Sequence, residues 1–351
     1  MERRPVAFAL MCLAAAAAPL FSAAGCKDGS VAARTAPAAP DPTEPGKWTP
    51  LAPMPTARHD LELIAAEGKL YAISGADDFT TDVVEVYDPK TRGWTSAAPI
   101  PEKRGWFGCA ILNGKVYCVG GKRIRTADER AAGADKDKYE YLAGLNIYDI
   151  AANRWTQGAP LAEPRAGLKA VACGGKIYAI AGNTKRKIFL PVVEVYDPRT
   201  DRWTAGAPLP EGRMAPGVAA VGDKVYVIGG SRGGHAESDT VFLYDTKTGK
   251  WSRGSPIPTR RRDFPTVVIG RKIWCVGGLD HSRYLGTVAI YDTETDTWSA
   301  ATPLPRPKAW MGAALLDGRI YVAGGADRDE KKNWYRWLDE FHVYLPRNKE
   351  R

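Results

Sequence analysis

A cation recurs in the chain at intervals of 46, 61, 48, 48 and 47 residues. The six residues are Arg58, Arg104, Arg165, Arg213, Arg261 and Lys308. Two positions later the residue type varies, and the six residues there are Asp60, Trp106, Gly167, Ala215, Asp263 and Trp310. Aromatic rings beside carboxylates and guanidinium groups suit stacking on sugar rings and hydrogen bonding to their hydroxyl groups.

Two further tryptophans, Trp334 and Trp337, lie in one of two long segments that interrupt the repeat, at residues 122–143 and 326–338. Long, variable segments on a rigid frame are where binding residues concentrate. We therefore add both tryptophans to the candidate ligand-binding residues. The alternative is that these extra tryptophans only pack the loops onto the rim of the frame.

The unit that must position these residues is clearest between Trp203 and Trp251. Two apolar runs flank the turn Gly222-Asp223, a third run covers residues 240–244, and Trp251 begins a fourth. The alternation of β runs with tight-turn signals predicts a four-stranded antiparallel sheet. Such a sheet cannot bury both faces by itself and requires copies on either side.

Six copies are recognisable from shared marks. The tryptophan that opens each fourth strand recurs as Trp48, Trp94, Trp155, Trp203, Trp251 and Trp298. A glycine doublet recurs as Gly120-Gly121, Gly229-Gly230, Gly277-Gly278 and Gly324-Gly325, and we align the degraded forms Gly75-Ala76 and Gly182-Asn183 with it. A Tyr-Asp pair precedes the tryptophan in five units, at Tyr87-Asp88, Tyr148-Asp149, Tyr196-Asp197, Tyr244-Asp245 and Tyr291-Asp292.

These marks resemble the kelch repeat, whose units carry a glycine doublet, a spaced tyrosine and a tryptophan. The resemblance implies an all-β, six-bladed β-propeller over residues 47–346. The last unit supplies three strands, while a tryptophan strand at residues 47–52 has no unit before it. We therefore expect this N-terminal strand to complete the last blade and close the ring.

The resemblance also implies two functions for the loops around the channel. In kelch domains that bind acidic peptides, arginines at matching positions contact carboxylates, so the six cations would form an anion-binding ring. Alternatively, they tie loops to neighbouring blades. Periplasmic sialic-acid mutarotases are kelch propellers too, which keeps open a sugar mutarotase or epimerase using the pair Asp60–Arg58 or Asp263–Arg261.

The first 46 residues have a separate organisation. Residues 1–25 combine a basic start, an apolar core and small residues, which predicts an export signal. The segment before Cys26 resembles a bacterial lipobox, so Cys26 is the expected lipidation site; simple secretion and a retained anchor are the alternatives. Residues 26–46 are rich in Ala and Pro and predict a tether. Residues 347–351 form a short basic tail.

Charge and cysteine content narrow the partners. The formal charge of +9 falls to +8 without residues 1–25. For an exported protein this balance favours acidic glycans, acidic peptides or anionic membrane surfaces over nucleic acid, and general solubility explains it equally well. Cys109 and Cys118 flank the Asn113-Gly114 turn symmetrically, so they form either a cross-strand disulfide or two buried thiols.

No enzyme motif, cofactor motif or metal-ligand spacing is present in the sequence. We therefore predict a monomeric, non-catalytic kelch propeller without cofactor. It would act at the bacterial cell envelope, facing the periplasm or the cell surface, and touch the membrane only through a Cys26 lipid. Its expected ligand, bound on the variable-loop face, is a glycan or an acidic protein segment. The sugar mutarotase is the alternative function.

Overall fold

The structure is a computed structural model that describes residues 46–133, 137–232, 237–329 and 334–347. The predicted export signal, the lipidation site Cys26, the tether up to residue 45 and the tail beyond residue 347 lie outside the described residues. Among the residues that are described, no helix is long and apolar enough to cross a membrane.

Six four-stranded antiparallel sheets form the blades of a propeller. The chain begins with β1 (Trp48–Pro50), which belongs to the last blade. Blade one contains β2 (Glu62–Ala66), β3 (Lys69–Ile73), β4 (Val84–Asp88) and β5 (Gly93–Ser96). Blade two begins with β6 (Gly108–Leu112) and β7 (Lys115–Val119). It continues through a ribbon of β8 (Lys122–Ile124) and β9 (Tyr139–Tyr141), with helix α1 (Ala127–Ala132) between them, to β10 (Leu145–Asp149) and β11 (Arg154–Gly158).

The remaining blades follow the same order. Blade three contains β12 (Lys169–Cys173), β13 (Lys176–Ile180), β14 (Val193–Asp197) and β15 (Arg202–Ala205). Blade four contains β16 (Gly217–Val221), β17 (Lys224–Ile228), β18 (Val241–Asp245) and β19 (Lys250–Gly254). Blade five contains β20 (Thr266–Ile269), β21 (Lys272–Val276), the ribbon of β22 (Leu279–Asp280) and β23 (Arg283–Tyr284), β24 (Val288–Asp292) and β25 (Thr297–Ala301).

Blade six combines the two ends of the described chain. It contains β26 (Gly312–Leu316), β27 (Arg319–Ala323), the ribbon of β28 (Ala326–Asp329) and β29 (Trp334–Trp337), and β30 (Phe341–Tyr344), with β1 as its outer strand. In that pairing Trp48 lies opposite Tyr344 and Pro50 lies opposite His342. The predicted all-β, six-bladed propeller closed by its N-terminal strand is therefore confirmed.

The tryptophan of each unit links its blade to the blade before it. Every indole N–H donates to the carbonyl four residues after the preceding unit's tryptophan, at distances of 2.7–3.0 Å. Trp48 completes this circle by donating to Thr302 at 2.9 Å. Apolar residues of neighbouring blades pack between the sheets, as in the cluster that joins Ile73 of blade one to Val116 of blade two. Each blade therefore buries its faces against its neighbours.

The backbone shows which glycine of the doublet is indispensable. At the second position φ lies between 91° and 107° in all six blades, and an added Cβ at Gly121 would lie only 2.7 Å from the carbonyl oxygen of Gly105. The first position is left-handed with φ of 52–65°, which Ser74 and Ala181 also adopt. In blades one and three the doublet positions are therefore occupied by Ser74-Gly75 and Ala181-Gly182. The pairs predicted from the sequence, Gly75-Ala76 and Gly182-Asn183, are wrong by one residue.

Cys109 and Cys118 lie opposite each other in adjacent strands, with their Cα atoms 4.4 Å apart, and the structure joins them in a disulfide. Of the two alternatives that the sequence left open, the structure therefore has the cross-strand bond. Cys173 and Cys275 are free and buried.

Removing the closing strand should destabilise the whole ring. We expect a chain covering residues 54–351 to melt at least about 10 °C below the chain covering residues 26–351, because loss of a buried tryptophan alone costs about 3–5 kcal/mol. Thermal melts followed by circular dichroism would measure the difference. A control chain covering residues 46–351 keeps β1 and should melt like the longer one. Equal melting of all three chains would refute closure as a source of stability.

Candidate functional site

The six repeated cations are buried inside the blades. Their side chains are at most 2% exposed, so none of them reaches solvent at the channel. The predicted anion-binding ring of Arg58, Arg104, Arg165, Arg213, Arg261 and Lys308 is therefore not formed. The cations tie loops instead, as the alternative interpretation expected, but each ties its loop to its own blade and not to a neighbouring one.

Arg104 shows how such a tie is built. Its guanidinium donates to the carbonyl oxygens of Gly120 and Gly144 at 2.9 and 3.1 Å and to the carboxylate of Glu102 at 2.6 Å. Burial lowers the pKa of Arg104 to about 10, so the side chain stays charged at neutral pH. The loop that enters blade two is thus fixed to the second and third strands of its own blade.

Arg58 makes the same tie with a buried carboxylate. It pairs with Glu85 at 2.5 Å and donates to the carbonyl oxygen of Ala72 at 3.0 Å. Arg261 bonds to the carbonyl oxygens of Gly277 and Thr287. Since both arginines point into their blades, the carboxylate–arginine pairs Asp60–Arg58 and Asp263–Arg261 that a mutarotase would use are not presented at the channel. Asp263 instead pairs with Arg262, which the sequence pattern did not single out.

The residues two positions after the cations do surround the channel. All six have left-handed backbone with φ between 51° and 62°. Five of the links between them are N–H···O bonds that run from one blade to the next, at 2.7–3.0 Å. The donors are Asp60, Gly167, Ala215, Asp263 and Trp310. We call these five residues and Trp106 the axial ring.

Below the axial ring the channel is narrow. Its cavity has a volume of about 20 Å³, which is close to the volume that one water molecule requires. Glu62 of blade one and Lys169 of blade three form an ion pair across it at 2.7 Å. This part of the channel therefore has no room for a ligand of sugar size.

A larger cavity of about 340 Å³ lies at the tryptophans of the axial ring. Rings from five chain segments line it, and we call it the aromatic cup. Its ring-bearing residues are His59, Trp106, Tyr139, Trp310, Tyr335 and Trp337. Asp60, Asp77, Asp78 and Lys138 supply its charged groups. The cup lies where blades one, two and six meet, which is where the extra tryptophans of the sequence pointed.

His59 organises the floor of the cup. Its ring stacks on Trp337 with a centroid distance of 4.3 Å and lies edge-on to Trp106 at 5.5 Å. Its Nδ1 atom is 2.5 Å from the carboxylate of Asp60. Because these neighbours hold the imidazole on three sides, the ring positions of Trp106 and Trp337 are set before any ligand arrives.

A lysine that does not itself line the cup packs against Trp106. The ammonium group of Lys122 lies 4.1 Å from the Trp106 ring centre and 4.2 Å from that of Tyr139. Burial lowers the pKa of Lys122, although the carboxylates of Asp60 and Asp263 favour its charged form. Such cation–π contacts hold the indole face in place.

The structure thus sorts the sequence candidates into three groups. Asp60, Trp106, Trp310 and Trp337 come together in the aromatic cup. Asp263 faces the narrow channel, and the six cations are internal ties. The strand position of Trp334 is described but its side chain is not.

Sequence reasoning missed other lining residues, among them His59, Asp77, Asp78, Lys138 and Tyr139. A signal existed for His59, which lies between a repeated cation and a member of the axial ring, and for Lys138 and Tyr139, which lie in the long segment 122–143. Asp77 and Asp78 lie in a loop without repeat spacing, so nothing in the pattern related them to the cup.

The electrostatic character of the cup differs from that of the whole chain. Three aspartates and one lysine line it, whereas the chain carries a formal charge of +9. An acidic peptide would bring its carboxylates against those of Asp60, Asp77 and Asp78. A ligand with hydroxyl groups would instead donate hydrogen bonds to them.

Comparison with known proteins agrees with this architecture. The family model of the KLHDC2/KLHL20/DRC7 kelch-repeats domain matches residues 170–350, just over half of the chain. Kelch-like protein 35 of Mus musculus is 30% identical over 137 residues, covering 38% of this chain and 21% of that protein. Kelch-like protein 26 of Danio rerio is 28% identical over 137 residues, covering 39% and 20%. The chain thus spans about a fifth of the length of these curated relatives.

The solved structure of YjhT superposes with a TM-score of 0.69 over 85% of this chain and 98% of that chain. The sequence identity is 16%, so this likeness shows the shared fold.

Replacing Arg58 by methionine should destabilise the fold, because Glu85 would keep a buried charge without its cation. We expect a loss of about 3–5 kcal/mol in the free energy of unfolding, measured by urea denaturation. The double variant Arg58→Met, Glu85→Gln should lose less than the single one.

The matched control is Arg199→Met, which removes an exposed arginine paired with Asp197 at 2.9 Å and should unfold like the wild type. An Arg58→Met variant with the wild-type urea midpoint would show that the tie does not stabilise the blade.

Proposed function

Starting from a chain that belongs to the kelch-repeat β-propeller family, we propose that it is a non-catalytic binding protein whose aromatic cup holds a sugar ring of a glycan. Kelch propellers are generally binding domains for protein partners. Binding on the variable-loop face is consistent with that use of the fold. The glycan is our specific assignment for this chain.

The observation that carries the proposal is the combination of half-buried indoles and carboxylates around one cavity of about 340 Å³. Sugar rings present C–H groups on their faces and hydroxyl groups on their edges. Indole faces pack against the C–H groups, and carboxylates accept hydrogen bonds from the hydroxyl groups. The cup offers both within one cavity of the size typical of small-ligand sites.

Backbone geometry supports a binding role for the tryptophans. Trp106 and Trp310 have φ of 55° and 57°, a left-handed conformation that is costly for a bulky residue. Gly167 fills the equivalent position in blade three with φ of 62°. The scaffold therefore accepts a residue without this cost, and strained residues of this kind concentrate at functional sites.

Charge favours a glycan over an acidic protein segment as the occupant of the cup. The six cations that would have neutralised peptide carboxylates are buried, and the cup itself is lined by three aspartates. A sugar mutarotase is the weaker alternative, since neither of its carboxylate–arginine pairs faces the channel.

We further propose that the protein acts at the bacterial cell envelope. This proposal rests on the first 26 residues, where a basic start and an apolar core precede the small residues before Cys26. A lipid on Cys26 would leave the propeller on a tether rich in Ala and Pro, which gives it reach from a membrane surface.

Radioactive palmitate supplied to cells that express the full chain should label the protein, and the label should be lost in Cys26→Ala. Western blotting of the same extracts controls for the amount of protein. An unlabelled wild-type protein would disprove the lipid anchor and leave the proposal about the cup untouched.

Replacing Trp106 by glycine should weaken glycan binding while sparing the fold. The variant loses a stacking surface but adopts the left-handed backbone without strain, so we expect the melting temperature to fall by no more than about 4 °C. Affinity for a glycan identified on an array should fall at least about tenfold, since truncating a tryptophan that anchors a ligand typically costs about 2 kcal/mol or more. Isothermal titration calorimetry would measure it.

The control is Ile188→Ala, which removes an apolar side chain that is 64% exposed and does not line the cup. It should bind like the wild type. Unchanged binding by a folded Trp106→Gly variant would show that the ligand does not occupy the cup.

A further inference from the structure

A second cavity, of about 460 Å³, adjoins the aromatic cup and has the opposite charge. Its lining includes Arg283, Tyr284, Arg306, Asp327 and Arg328. We call it the arginine cleft. Three arginines and one aspartate among its lining residues leave an excess of two positive charges. None of these residues belongs to the repeated marks of the sequence.

Elements peculiar to blades five and six build the arginine cleft. Arg283 and Tyr284 form β23 of the ribbon in blade five, and Asp327 and Arg328 lie in β28 of the ribbon in blade six. Arg306 comes from the loop between these blades. Both ribbons follow the second strand of their blades, so they lie on the same face as the cup.

Carboxylates form ion pairs with several of the cations in and around the cleft. Asp327 pairs with both Arg306 and Arg336, at 3.1 and 2.6 Å. Glu340 pairs with Arg306 and Lys308, while Asp280 pairs with Arg283.

Exposure makes part of this charge available to a ligand. The Arg283 side chain is 70% exposed, and Arg336 is 48% exposed. Arg328 is exposed as well. Guanidinium groups are the side chains best suited to bidentate contacts with carboxylate, sulfate or phosphate oxygens.

Trp310 forms the boundary between the cleft and the cup. It lines the cup, and its ring meets that of Tyr284, which lines the cleft, edge-on at 5.8 Å. Tyr335, another cup residue, lies edge-on to Trp310 at 6.0 Å. The two cavities are therefore separated by the thickness of one aromatic layer, which adjacent units of one oligosaccharide can span.

Tyr284 carries an unsatisfied group at this boundary. Its hydroxyl oxygen is buried and has no hydrogen-bond partner among the described residues. Burial raises the pKa of Tyr284, so the hydroxyl remains a neutral donor. A buried hydroxyl without a partner is unusual in folded proteins, and an anion in the cleft would supply an acceptor after a small local movement.

We infer that the glycan bound by this protein is anionic, with one ring in the aromatic cup and a carboxylate or sulfate group of a neighbouring unit in the arginine cleft. The inference rests on the proposed function and specifies its ligand class. It places the anion away from Asp60, Asp77 and Asp78, so the charges of both cavities favour a single orientation of the oligosaccharide.

The test compares charged probes with neutral counterparts that have the same rings. Tetragalacturonate and its methyl ester test carboxylates, and a chondroitin sulfate tetrasaccharide with its desulfated form tests sulfates. Isothermal titration calorimetry is performed on the full-length folded protein and on three variants. These are the double variant Arg283→Ala, Arg328→Ala, the cup variant Trp106→Gly, and the control Arg199→Ala on the opposite face.

We expect wild type to prefer the charged member of at least one pair by tenfold or more, and the preference to weaken as salt increases. The double variant should lose this preference and keep its affinity for the neutral member, while Arg199→Ala changes neither. If the double variant loses its preference for the charged probe in only one of the two pairs, that pair shows whether the cleft binds a carboxylate or a sulfate.

Equal affinity of the wild type for charged and neutral members, or an unchanged preference in the double variant, would overturn the anionic ligand and leave the cup proposal intact. Absence of binding to every probe, or binding that Trp106→Gly does not reduce, would instead overturn the proposed function. The two failures are therefore distinguishable.

Discussion

The loop that enters each blade is held by one buried cation, and the geometry of the channel depends on this tie. A guanidinium such as that of Arg104 satisfies carbonyl oxygens left over where the second strand ends, at Gly120, and where the third begins, at Gly144. Buried carbonyls without partners would be costly, and so would an unpaired charge. Because both requirements are met by one side chain, the loop can occupy only one position.

The same tie determines which residues face the axis. Two residues after each cation the backbone turns left-handed and bonds to the equivalent residue of a neighbouring blade. That turn points the cation into the blade and leaves the later side chain at the channel. Glycine or alanine suffices for the turn in blades three and four, whereas blades two and six carry Trp106 and Trp310 at a conformational cost. The axial ring does not need a tryptophan at these positions, so the conformational cost favours a functional explanation for Trp106 and Trp310.

Repeat spacing made the blades and their closure predictable, because each strand must supply the same contact to its neighbour. Repeat spacing could not show that Arg104 points into the blade whereas Trp106 faces the channel, because both positions recur with the same period. Only the left-handed turn gives the two side chains different directions. The doublet alignment was wrong at Ser74 and Ala181 because the first position tolerates a side chain whereas the second does not. Tyr139 and Tyr284 lie in ribbons of two or three residues per strand, which are too short to leave a periodic pattern.

These constraints explain how one face can combine cavities of opposite charge. The axial ring needs only a backbone conformation, so its side chains are free to vary, and the three ribbons attach where the second strand of a blade ends. Blades two and six supply rings and blade one supplies carboxylates to the cup, while the ribbons of blades five and six supply arginines to the cleft. The buried ties hold the loops without help from the side chains of the cup and the cleft. Charged side chains on this face can therefore be arranged for a ligand at little cost to the stability of the fold.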